Sequence, residues 1–205
     1  MNKYFLTLII LTLFGCSQKV ESLEEQFSCK ADAKIYFTHL EYDTDEFKVY
    51  HPRTWKLEIT KNEPYASYVF SDSIPELSDK ELIEISDEEF NDRYNEFSSL
   101  TLTQDKIYQG FKYDEGWKSI SNLIKSKDEF EIIENGTANY NGRKIKWIKY
   151  NDNSSVKDGL INLTFATCLI GEHNYLTIQA CVFGEKEIEK RMCELIDVIN
   201  TITVE

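Results

Sequence analysis

Histidine is scarce in this 205-residue chain: only His39, His51 and His173 occur, none at metal-ligand spacing from another histidine or a cysteine. There is also no glycine-rich phosphate loop and no nucleophile elbow. Zinc chemistry, nucleotide binding and serine catalysis thus lack their usual signatures, and no enzyme activity, cofactor or metal is expected. The nearest approach to a calcium loop, "DNSSVKDG" from Asp152 to Gly159, lacks the terminal bidentate glutamate. Positive charge is short as well. With 23 Lys+Arg against 36 Asp+Glu, the net charge is -13, and nucleic acid, which needs a locally basic face, is not an expected partner. The oily run from Tyr4 to Phe14 is too short to span a bilayer, which takes roughly 20 apolar residues.

What that run does have is a basic start at Lys3, an apolar core and a small residue, Gly15, before Cys16. This is the layout of a secretory signal. Leu13, Phe14, Gly15 and Cys16 resemble the box of a bacterial lipoprotein signal. The resemblance implies that the Cys16 thiol receives a diacylglycerol, that the chain is cut just before it, and that the freed amine is acylated. Two or three acyl chains give lasting membrane attachment where one is marginal. Residues 1–15 are then a signal peptide and 16–30 a lipidated tether, since "SQKVESLEEQFS" is polar and aperiodic. Residues 31–205 are left for a single domain. Ser17, rather than aspartate, after Cys16 fits outer-membrane retention under the enterobacterial sorting pattern, with the leaflet left open.

Four further cysteines, Cys29, Cys168, Cys181 and Cys193, would sit in an oxidising compartment. Cys168 and Cys181 fall on successive strands around "GEHN"; pairing Ile170 with Tyr175 sets Cys168 opposite Thr177, too far from Cys181 for a disulfide. Two readings stay open: a bridge from Cys29 to one of the other three, or four buried thiols.

Strands are expected at "KIYFTHLEY", at "DEFKVYHPRTWKLEIT" with a break at Pro52, at "YASYVFS" and at "SLTLTQDKI". The stretch from Asp72 to Phe97 fits no single period. In "DEGWKSISNLIKSK", Trp117, Ile120, Leu123 and Ile124 fall on one side of a helix of about three turns. "EFEIIEN" and "GTANYNGRKIKWIKY" follow, with Asn141 and Gly142 marking a hairpin. "GLINLTFATCLI" and "NYLTIQACVF" form another. Ile188, Met192, Leu195, Ile199 and Ile202 recur at three and four, which predicts a closing helix. Each amphipathic helix needs a sheet face to cover, so an antiparallel sheet with helices packed on it follows.

Phe47, Val49, His51 and Pro52, followed by Trp55, resemble the opening strand of the Mog1/PsbP-like family, with histidine in place of an aromatic. Glu131 to Glu134 with Gly136, then Asn141 and Gly142, the hairpin of 161–183 and the last helix are similar to its later half. The resemblance spans Asp45 to Ile202. It implies an α+β fold, an antiparallel β-sheet flanked by helices in an α/β/α sandwich, and a protein that docks or scaffolds. The resulting expectation is a non-catalytic, lipid-anchored cell-envelope protein that binds membrane lipid through its acylated N-terminus and stabilises an envelope protein partner. The alternative is a small-molecule carrier with a pocket between sheet and helix. Trp55, Trp117 and Trp147 are the candidate binding surface. Tyr65, Tyr68, Tyr94, Tyr108 and Tyr113 either add to such a face or pack across strands.

Overall fold

A computed structural model describes residues 20–30, 39–62, 64–72, 96–108, 110–154 and 160–205. Cys16, the signal segment, Tyr94, most of the Asp72–Phe97 stretch and the first part of "KIYFTHLEY" lie outside these residues. The elements run α1 (Leu23–Gln26), β1 (His39–Asp43), β2 (Phe47–Pro52), β3 (Lys56–Asn62), β4 (Tyr65–Ser71), β5 (Phe97–Lys106), α2 (Tyr113–Lys125), β6 (Phe130–Tyr140), β7 (Arg143–Asp152), β8 (Ile161–Ile170), β9 (Asn174–Gly184), α3 (Ile188–Asn200) and β10 (Thr203–Val204). A seven-stranded sheet has the order β3-β4-β5-β9-β8-β7-β6, and a three-stranded one the order β1-β2-β10. All pairings between these strands are antiparallel.

Alternation along the strands divides the large sheet into two apolar faces. On one, Phe70, Leu100, Ile178, Val182 and Phe165 meet α3 through Met192, Leu195, Ile196 and Ile199, and the small sheet through Phe47 and Val49. On the other, Ile148, Tyr150, Ala166, Cys168 and Tyr175 meet Ile120 and Ile124 of α2. The chain thus forms the antiparallel α+β sandwich that the resemblance implied. Asn141 and Gly142 take positive φ of 48° and 80°, the backbone of the tight β6–β7 turn. Ile170 faces Tyr175 and Cys168 faces Thr177. The Tyr140 hydroxyl lies 2.7 Å from the Ile199 carbonyl and 2.5 Å from that of Ile202, tying this hairpin to the end of α3.

Two expectations change. Leu123 does not join the buried stripe of α2: it is 60% exposed, because Gly116, Ile120, Ser121 and Ile124 are the residues turned to the sheet. Within the expected tether of 16–30, residues 22–29 instead belong to the folded body. Ser22 and Glu25 form a reciprocal capping box, so α1 starts despite its length. Leu23 is fully buried, and Phe27 and Cys29 pack on the larger core. The polar look of "SQKVESLEEQFS" hides an apolar pair at Leu23 and Phe27, four residues apart and on one side of a turn.

His51 is buried near the end of β2, opposite Leu40 of β1, its ring 4.9 Å from that of Phe70. Burial holds its pKa below the usual histidine value, against an opposing contribution from the Pro52 carbonyl at 3.0 Å. Below pH of about 6.5 the unfolded chain takes up a proton that the folded chain resists. Stability contributed by neutral His51 is therefore fully present above that pH and is lost as pH falls through the folded value. His51→Phe should flatten this part of the curve. Urea midpoints measured from pH 7.5 to 5 should diverge between the two proteins, and parallel curves would refute the assignment.

Candidate functional site

The three tryptophans do not form one surface. Trp147 is 2% exposed and lies beneath α1: its indole Nε1 donates to Gln26 Oε1 at 2.7 Å, and its ring centroid stands 5.0 Å from that of Phe27. Gly136, opposite on β6, permits the approach, since a Cβ there would come within 2.9 Å of the indole. Trp117 is partly buried on the opposite face of the sheet, against the α2 cluster. Trp55 is partly buried against the larger core, in the turn after Pro52. Burial of Trp147 and separation of the other two by the sheet overturn the idea of a shared aromatic face. Tyr68 is buried too, whereas Tyr65 and Tyr108 are exposed.

The cysteines resolve clearly. Cys29 is bonded to Cys193 in α3, across a sequence separation of 164. Cys168 and Cys181 are free thiols. Burial is the main reason both are pushed up to about 11, so each stays protonated and weakly nucleophilic at neutral pH.

Between sheet and helix there is a groove of about 320 Å³, but no tryptophan lines it. Leu123, Phe130 and Tyr150 supply its apolar rim, and Thr164, Gln179 and Asp152 are among its polar groups. Hydroxyl, amide and carboxylate groups there can hydrogen-bond a small polar molecule. The sequence reading allowed a pocket between sheet and helix but missed this lining, which comes from α2, the turn after it and five strands. The outward threonines of β5 and β8 were the available signal, since Thr101 and Thr164 sit where strand alternation turns away from the main core. His173 is exposed in the β8–β9 turn, 3.7 Å from Glu172.

No family model and no curated protein matches the chain. Solved structures do. It is similar to the solution structure of cyanobacterial PsbP (CyanoP) from Synechocystis sp. PCC 6803, at 16% identity and a TM-score of 0.49, over 82% of this chain and 93% of that one. It is also similar to the crystal structure of LpqN, involved in cell envelope biogenesis of Mycobacterium tuberculosis, at 11% identity and a TM-score of 0.48, over 82% and 89%.

Proposed function

We propose that this chain is a non-catalytic protein of the bacterial cell envelope, anchored by acyl chains on Cys16, whose domain docks on or stabilises another envelope component. The observation that carries the reading is the Cys29–Cys193 bond. Disulfides persist in exported proteins and are rare in the cytosol, so the bond supports export. The order Lys3, apolar run, Gly15, Cys16 supports the lipoprotein route. The two remaining thiols, held protonated, fit a protein without a cysteine nucleophile. A docking partner would find exposed apolar side chains on the β3–β4 hairpin, Ile59 at 45% on one face of the sheet and Tyr65 at 52% on the other.

Intact mass of the protein purified from the membrane fraction tests the anchor. The expected mass is that of residues 16–205 plus acyl chains. Cys16→Ser should remove the acyl increment and leave the thermal midpoint of the domain unchanged. A wild-type mass without acyl chains would defeat the reading.

A further inference from the structure

The first described residues are fastened to one edge of the large sheet. Ser22 forms a parallel bridge with Asn139 of β6, the Asn139 amide donates to the Glu21 carbonyl at 2.8 Å, and the Gln26 side-chain amide donates to the Thr137 carbonyl at 2.7 Å. β6 is the terminal strand of that sheet. In a parallel bridge the two chains run the same way, so residues 20–21 point back along β6 towards that strand's own start. Cys16 stands six residues before Ser22, and Ile133 stands six residues before Asn139. Six extended residues span about 20 Å. The acylation site, wherever residues 16–19 run, is therefore held by the chain within about 20 Å of Ser22, the length of strand that separates Asn139 from Ile133.

Near its start β6 is apolar for a terminal strand. Ile132 and Ile133 are 38% and 48% exposed, beside an irregularity that shifts the register between Ile132 and Glu134. Exposed apolar edges invite unwanted pairing, and proteins usually blunt them with charge. Glu131 and Glu134 flank the pair, and Glu134 is engaged by Lys149 at 2.9 Å. The opposite edge, β3, lies six strand spacings away, about 29 Å at the usual separation of strands.

We propose that the outer edge of β6, with Ile132 and Ile133 foremost, lies against the bilayer surface and turns the β3 edge away from it. This orientation rests on the reading of Cys16 as acylated. The contact is apolar in character. Glu131 and the net charge of -13 give no electrostatic attraction to anionic lipid, so the isoleucines rather than cations make it.

The test uses the full chain, processed in a bacterial host and reconstituted in vesicles of phosphatidylethanolamine and phosphatidylglycerol. A benzophenone photo-crosslinker replaces Ile133 in one sample and Ile59, on β3, in another. Both sites are substantially exposed, so neither replacement opens the core. Intact mass before irradiation reports the acyl chains. With those present, lipid adducts several-fold more abundant at 133 than at 59 are expected. Equal or fewer adducts at 133, or crosslinks from 133 into a second protein copy, would overturn the orientation while leaving the anchor standing. A mass without acyl chains would remove both, and is seen before any crosslinking.

Discussion

Cys193→Ala is expected to lower the stability of the domain by about 2–5 kcal/mol. The bond closes a loop with a sequence separation of 164, and the chain-entropy model gives about 4.7 kcal/mol for a loop of 100 residues, rising slowly beyond that. The lower bound allows for residual structure in the unfolded chain. The same loss should follow reduction of the wild-type protein, since Cys168 and Cys181 are already free. Urea unfolding with and without dithiothreitol separates the outcomes. Wild type in reductant should fall to the midpoint of the variant, and the variant should not respond. A wild-type midpoint indifferent to reductant would show that the bond contributes nothing.

Trp147→Ala should cost about 3–5 kcal/mol, the range for truncating a buried aromatic. Three losses combine there. The indole fills space against Phe27 and Phe165, at centroid distances of 5.0 and 6.1 Å. It holds Gln26 by a 2.7 Å hydrogen bond. Beside it, Gly136 cannot fill the void left behind. Trp147→Phe keeps part of the packing and loses the hydrogen bond, so its cost should be smaller. Amide exchange gives a sharper readout: in Trp147→Ala the amides of Gln26 and Phe27, bonded to the carbonyls of Ser22 and Leu23, should exchange faster than those of β8. Equal acceleration everywhere would mean that α1 is not a separate dependant of this side chain.

The parts of the fold legible in the sequence were those with a strong local period or a turn that only certain residues can make. Asn141 and Gly142 marked one hairpin because two successive positive φ values suit few other pairs. The closing helix was legible because Met192, Leu195 and Ile199 recur against a charged background. α1 escaped because four residues carry too little period to register. Its signal was the Ser22 and Glu25 capping pair. The two residues of β10 are shorter still, and their pairing with Phe47 and Lys48 is set by where α3 ends. Trp147 was misread because "KIKWIKY" alternates charge with bulk. In β7 both faces are buried, Ile145 and Trp147 on one side and Ile148 and Tyr150 on the other, so exposure could not be judged from the strand alone. The full lining of the groove was not legible for a different reason: no local pattern brings Leu123 and Gln179 to one site.

The bond between Cys29 and Cys193 also bears on how the molecule would meet a protease. It joins a point near the start of the described chain to the last helix, so everything from Cys29 to Cys193 lies inside one covalent ring. A single cut anywhere between those two cysteines opens the ring without dividing the molecule. Both fragments stay linked, and whatever holds the N-terminus still holds the C-terminal half. After such a cut, release of the C-terminal half would require a second cut or a reductant.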